Sequence, residues 1–171
     1  MDSGFYRRLA LTVCGLLLGA TELLGMQSNS ATQHDHHMAE VKERGAESMG
    51  FDQDKTAHHF FLREDGGVIT VRAKDPKDAA SIGQIQHHLR LQAETFSRGE
   101  FDAPEHTHGQ VPPGVPSMER PRDEIRYEFR KTPQGGRLRI SSSHPTAVEA
   151  IHHFLKFQIE EHQTGDPATL Q

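Results

Sequence analysis

The sequence predicts an α+β fold in which two ββα units form one four-stranded antiparallel sheet with two helices on one face. One observation is that the same pattern occurs in residues 51–96 and 122–165: a strand, a Gly-Gly pair, a second strand, an X-Pro pair and a helix with adjacent histidines. Another is that apolar and polar residues alternate in the strand segments, as they do when one face is buried. A repeated supersecondary unit predicts two similar halves that share one core.

The first unit begins with an alternating strand and ends with an amphipathic helix. His58, Phe60 and Leu62 are predicted to face the helices, and the residues between them the opposite side. Residues 64–67, which include Gly-Gly, are predicted to turn the chain. Asp75 is the predicted N-cap of the helix, with a proline at the first helical position. The predicted core face of this helix comprises Ile82, Ile85, Leu89 and Phe96.

The second unit repeats this order with clearer alternation. Ile125, Tyr127 and Phe129 are predicted to face the helices. Residues 132–136 are predicted to form the turn, and Pro145 to begin the last helix. The predicted core face of that helix comprises Val148, Ile151, Leu155, Ile159 and His162.

The N-terminal part has the features of an export signal. In residues 1–30, two arginines precede an apolar stretch at 9–20 that is too short to span a bilayer. The only cysteine, Cys14, lies in this stretch, so we expect a mature protein without disulfides. Residues 31–50 are predicted as a polar leader of doubtful order, able to form a short helix at 39–49. We expect a periplasmic or extracellular protein that leaves the membrane once the signal is removed; the alternative is an uncleaved N-terminal anchor.

A proline-rich segment joins the two units. Residues 97–121 contain five prolines, and proline interrupts regular structure because it has no backbone N–H. We therefore expect a long loop, of the kind that often carries a binding site. Residues 166–171 are predicted as a frayed polar tail. One domain is thus expected from residue 51 to residue 165.

Two histidines of this segment suggest a metal site. In an extended backbone the imidazoles of His106 and His108 can bind the same ion, and His58 is a candidate third ligand. The hypothesis is a zinc or copper site formed by these three residues, with Met118 as an additional soft ligand for Cu(I). The alternative is a solvated loop with two ordinary histidines and a buried, neutral His58.

Histidine is unusually frequent, with 13 residues in the chain. We expect His87 and His153 to be solvated on helix surfaces and His88 to flank the core. His162 corresponds to Phe96 of the first unit and is expected to be a packing residue. Because the unperturbed histidine pKa is about 6.5, the composition alone predicts sensitivity to acid.

Arginines on the predicted open face of the sheet suggest a second kind of site. Arg126, Arg130, Arg137 and Arg139 are expected to form a basic patch, with Phe61 as an apolar floor, for an anionic ligand or a protein partner. The alternative is a solvated face on which Glu128 pairs with arginines across the strands.

Charge and motifs exclude several classes of function. A net charge of −5 disfavours a general nucleic-acid-binding protein, which needs a strongly basic face. The chain has no nucleophile elbow, phosphate-binding glycine loop or HExxH motif, so catalysis has no support. The sequence predicts an exported binding protein that holds a transition metal through its loop histidines; the alternative is an interaction module that uses the open sheet face. Oligomeric state is left open.

Several segments resemble a family of small exported bacterial proteins of unknown function. They are Met49-Gly50-Phe51-Asp52, Thr56-Ala57-His58-His59-Phe60, His87-His88-Leu89 and Ala103-Pro104-Glu105-His106-Thr107-His108-Gly109. Some members of that family carry the name aspartate carbamoyltransferase. This chain departs from that transferase because it has no Ser-Thr-Arg-Thr run, and its one His-Pro pair, His144-Pro145, begins a predicted helix. The resemblance implies export and no established activity.

Overall fold

The computed structural model describes residues 33, 36–37, 39–119 and 124–171. The chain divides into a unit Met1–His36, of which only residues 33 and 36 are described, and a compact unit His37–Gln171. The predicted signal peptide, including Cys14, lies outside the described residues. Within the described ranges, every helix is too short or too polar to cross a bilayer.

The compact unit confirms the predicted α+β fold. Its strands form one antiparallel sheet of four strands in the order β1-β2-β4-β3, and α2 and α5 pack on one face of it. The elements are α1 (39–49), β1 (Thr56–Arg63), β2 (Gly66–Ala73), α2 (Ala79–Ser97), α3 (Asp102–His108), α4 (Val115–Met118), β3 (Ile125–Thr132), β4 (Gly135–Ser142) and α5 (Pro145–Glu161).

The two units are related by a pseudo-twofold axis through the centre of the sheet. The central strands β2 and β4 pair in a register that places Ile69 opposite Leu138. These two residues occupy equivalent positions in the two units, so the axis passes between them. Both side chains are buried in the core.

Each long helix mainly covers the hairpin of the other unit. Helix α2 packs against β3 and β4, and α5 against β1 and β2. Leu155 of α5 lies directly over Gly67 of β2, and Leu89 of α2 lies in the equivalent place over Gly136 of β4. Because each hairpin is covered by the other unit's helix, neither unit has a complete core alone.

The Gly-Gly pairs begin strands instead of forming the turns that the sequence suggested. The two-residue turns are Glu64-Asp65 and Pro133-Gln134. Gly66 adopts φ +139°, and a side chain there would collide with the backbone carbonyl of Ile140 on β4. The glycines are needed because backbone and helix approach the sheet closely at these positions.

Helix α2 begins three residues later than predicted. Its N-cap is Asp78, whose carboxylate accepts hydrogen bonds from the backbone N–H (3.0 Å) and hydroxyl (2.7 Å) of Ser81. The predicted N-cap, Asp75, instead caps a preceding turn by accepting a bond from Lys77 N–H at 2.8 Å. Asp78 is therefore the equivalent of His144, the N-cap of α5.

The prediction of an irregular loop at 97–121 was wrong, because this segment contains α3 and α4. Pro104 lies in the first turn of α3 and Pro116 in the first turn of α4. At these positions a backbone N–H would have no intrahelical partner, so proline does not disrupt the helix. Residues 120–123 lie outside the described ranges.

The structure confirms the short helix predicted at 39–49, and the C-terminal tail is more ordered than predicted. Residues 39–49 of the supposed leader form α1, where Val41 and Met49 are buried and Arg44 donates to the Thr107 carbonyl at 3.1 Å. The tail does not fray: Leu170 bridges to Leu62 in parallel along the free edge of β1. Edge strands carry unpaired backbone groups, which explains why the tail is held there.

Gly67 provides a test of the close packing between α5 and the sheet. A Cβ at this position would overlap the Leu155 side chain and lie 2.6 Å from the Phe61 carbonyl oxygen. Because the backbone oxygen cannot rotate away, Gly67→Ala is expected to lower the free energy of unfolding by about 1–3 kcal/mol, measured by urea denaturation.

Gly83 is the matched control, since it lies inside α2 and a Cβ there would have no atom within 4 Å. Gly83→Ala is expected to raise the free energy of unfolding by about 0.5–1 kcal/mol through helix propensity. Equal effects of the two substitutions would contradict the packing argument.

Candidate functional site

The open face of the sheet carries the arginines where the sequence placed them. Arg126, Arg130 and Arg137 are exposed and Arg139 is half-buried. Strand register puts Arg130 directly opposite Arg137. Like charges directly opposite each other on a sheet repel, so this pair is unfavourable for the isolated domain.

Most of these guanidinium groups have no carboxylate partner among the residues that the structure describes. Arg139 bonds to the carboxylate of Asp65 in the β1–β2 turn, and not to Glu128, its cross-strand neighbour. Among the described residues, Arg126, Arg130 and Arg137 form no ion pair. The expected neutralisation by Glu128 is therefore not seen, and three charges remain available on the β3–β4 half of the face.

The other half of this face is covered by local contacts. Phe61 is half-buried, with the His59 ring stacked at 6.2 Å and the Arg63 guanidinium 5.8 Å from its centroid. Asp166 of the tail accepts a bond from Phe60 N–H at 2.9 Å and pairs with His59 at 3.1 Å. Phe61 is thus already partly covered, and the accessible basic surface is on β3 and β4.

The structure does not bring the three proposed metal ligands together. The His106 side chain is 57% exposed and lies 3.6 Å from the Glu47 carboxylate, whereas His108 is buried. The segment is helical, and residues two apart on a helix point about 200° away from each other. Within the described ranges, no group of three or more metal-ligating side chains is close enough to hold an ion.

His108 instead lies beside a cavity of about 60 Å³ between the helices and the centre of the sheet. Three other histidines line this cavity: His58 of β1, His88 of α2 and His162 at the end of α5. The His162 ring stacks on His58 with centroids 5.3 Å apart and meets the edge of His108 at 5.2 Å. The histidines therefore form a packed cluster and not a chelating set.

His108 connects the cluster to a charged group at the end of α5. Its Nε2 lies 3.1 Å from Gln158 Oε1, and its Nδ1 lies 3.5 Å from the Glu161 carboxylate. The same carboxylate oxygen is 2.9 Å from His37 Nε2. Glu161 is thus shared by one buried and one more exposed imidazole.

Burial keeps the histidines of the cluster neutral. Burial, reinforced by neighbouring imidazoles, lowers the pKa of His58 and of His88 to about 4. The pKa of His162 is lowered well below its ordinary value for the same reasons. Burial also lowers the pKa of His108, although its contacts with Gln158 and Glu161 oppose the shift. At neutral pH, the uncharged rings of this cluster pack against apolar groups.

The pseudo-symmetry shows that this cluster replaces a set of ordinary aromatic residues. Positions 58, 88 and 162 are equivalent to Tyr127, Phe154 and Phe96, which form the matching aromatic cluster in the other half of the core. The sequence predicts His162 as a packing residue equivalent to Phe96, and His58 as a candidate metal ligand with a buried, neutral ring as the alternative. The missed signal was that histidine occupies core-facing positions in both units, two in the first and one in the second, which together form one half of the core.

Comparisons with protein-family models, with curated proteins and with solved structures found no match to this chain. The geometry of the described residues must therefore carry the functional argument.

Acid is expected to destabilise the fold through the histidine cluster. In the unfolded chain these histidines protonate near pH 6.5, but in the folded protein His58 and His88 protonate only near 4. The unfolded state thus binds more protons between these values. The free energy of unfolding should fall as pH drops from about 6.5 to about 4, by up to about 1.4 kcal/mol per pH unit for each histidine kept neutral.

A variant that copies the aromatic residues of the other half of the core tests this expectation. His58→Tyr, His88→Phe and His162→Phe together should flatten the pH dependence measured by urea denaturation from pH 7 to pH 4. The control is His87→Gln with His153→Gln, since both are exposed on helix surfaces. His108, whose pKa is also lowered by burial, remains in both variants. An unchanged slope in the triple variant would assign the acid response to other groups.

Proposed function

We propose that this chain is an exported, non-catalytic binding protein that recognises an acidic segment of a partner protein through Arg126, Arg130 and Arg137. The observation that carries this proposal is the unneutralised arginine pair on β3 and β4, where Arg130 lies directly opposite Arg137. Export rests on the signal-peptide features of residues 1–30, which lie outside the described ranges.

The charge distribution supports a specific anionic partner. The whole chain carries a net charge of −5, so its overall field repels anions while this surface attracts them. A local excess of opposite sign on an acidic protein favours recognition of particular charge patterns over general polyanion binding.

The arginine side chains favour carboxylates as the anionic groups of the partner. Neighbouring strands are about 4.8 Å apart, so one carboxylate placed between Arg130 and Arg137 is within reach of both guanidinium groups. Arginine forms paired, charge-assisted hydrogen bonds with carboxylates, and such bonds are stronger than neutral ones. Binding would also remove the repulsion between the two arginines, which gives the partner an additional favourable contribution.

Fluorescence anisotropy with a labelled glutamate-rich peptide tests the proposal. The full-length protein is expected to bind the peptide with an affinity that falls as salt concentration rises. Arg130→Gln with Arg137→Gln is expected to weaken binding by about tenfold or more per arginine, which corresponds to about 1.4 kcal/mol each.

Arg90→Gln with Lys156→Gln is the matched control, because both residues are exposed on the helices and away from the sheet face. Equal loss of binding in both double variants would show that only net charge matters, which contradicts the proposal. Tighter binding of a single-stranded oligonucleotide than of the peptide would indicate a nucleic-acid partner instead.

A further inference from the structure

The histidine-lined cavity lies on the other side of the sheet from the arginines and is independent of them. Ile69 and Leu138, the residues on the pseudo-twofold axis, line it together with other apolar side chains of the core. Its volume is about 60 Å³. An engineered cavity of roughly 150 Å³ holds benzene, so this one accommodates a molecule of only a few heavy atoms.

Two residues that line this cavity each carry a buried polar atom without a partner. His58 Nε2 and Gln158 Nε2 are shielded from solvent and have no hydrogen-bond partner among the described residues. Gln158 is 5% exposed. Its amide oxygen is already engaged by His108, and turning the amide would only leave the oxygen unpaired in place of the nitrogen. Buried polar groups in folded proteins nearly always have partners, so both atoms indicate an additional molecule in the cavity.

Packing alone does not explain these histidines. The equivalent half of the core is filled by Phe96, Tyr127 and Phe154, so rings of similar shape that carry a single polar atom, the Tyr127 hydroxyl, fit this architecture. Replacement of such rings by histidine adds hydrogen-bonding atoms at little cost in shape. The difference between the halves is therefore chemical, and it is concentrated around the cavity.

The lining also determines which molecules fit. It contains no arginine, lysine, aspartate or glutamate, so an ion would enter without a compensating charge. A metal ion does not fit either, since the His58 and His162 rings stack with an interplanar angle of 18° instead of directing their nitrogens to one point. The suitable ligand is uncharged, with one hydrogen-bonding end and a short apolar body.

The geometry points to a binding site for a small aliphatic alcohol in this cavity. A hydroxyl group can accept a hydrogen bond from the Gln158 amide N–H through its oxygen, and it can donate its hydrogen to His58 Nε2. The alkyl group lies against Ile69 and Leu138. A hydroxyl is suited to this place because one atom both accepts and donates.

Nuclear magnetic resonance of the full-length protein, titrated with ethanol and propan-1-ol, tests this site. We expect saturable shifts of the His58 and His162 ring signals and of the Ile69 methyl signals. Acetate, similar in size to ethanol but charged, is expected to cause no saturable shift. Absence of saturation with both alcohols, or equal shifts with acetate, would overturn the proposal and leave the cavity as a site for water only.

Two variants locate the site. Gln158→Leu removes the donor with little change in volume and is expected to weaken alcohol binding at least tenfold. Its control is Gln86→Leu, which removes a half-buried amide that bonds to the Thr132 carbonyl outside the cavity. Ala103→Met, at a half-buried position of the lining, is designed to fill the cavity while Gln158 and the histidines are kept. Alcohol binding that persists in Ala103→Met would place the site elsewhere and overturn the assignment, even if Gln158→Leu fails to fold.

Discussion

The pairing of β2 with β4 is the constraint on which the rest of the structure depends. It joins the two ββα units at Ile69 and Leu138 and places each helix over the hairpin of the other unit. Leu155 can lie over Gly67 only when this register is correct. A hairpin with its own helix lacks most of its core, so the two units are expected to fold together, and pairing between residues distant in sequence limits how fast this occurs.

Local sequence patterns were sufficient to predict the strands of the sheet, but not the segment between the two units or the C-terminal tail. Alternation identified which strand residues face the helices, because period two is a direct consequence of strand geometry. The prolines of residues 97–121 led to a wrong prediction of an irregular loop. Proline interrupts a helix in its interior but is compatible with the first turn. Pro104 and Pro116 occupy first turns, a distinction that depends on where each helix starts. The tail was misread for a different reason: the contact of Leu170 with Leu62 joins distant segments and leaves no local signal.

The sequence predicted more of the arginine face than of the histidine-lined cavity. The arginine face follows from alternation alone, and only the absence of ion pairs among the described residues had to come from the structure. The cavity depends on how α2, α3 and α5 meet above the sheet, which no local pattern encodes. Comparison of the two units supplies part of that information, since His58 and His162 stand where the other unit has Tyr127 and Phe96. His108 has no such counterpart, and its burial follows from the unexpected helix α3.

The same strands build both sites, which restricts how either can change. His58 faces the cavity and its neighbour His59 faces the open side, just as Leu138 lies under the helices and Arg137 points away from them. A shift of register by one residue would exchange the two sets, burying arginines and exposing the core. Burying the arginine charges would cost more free energy than losing apolar contacts, so the arginines contribute most to excluding the shifted register. The unpaired arginines, although they repel one another, therefore also help to specify the register that positions the cavity.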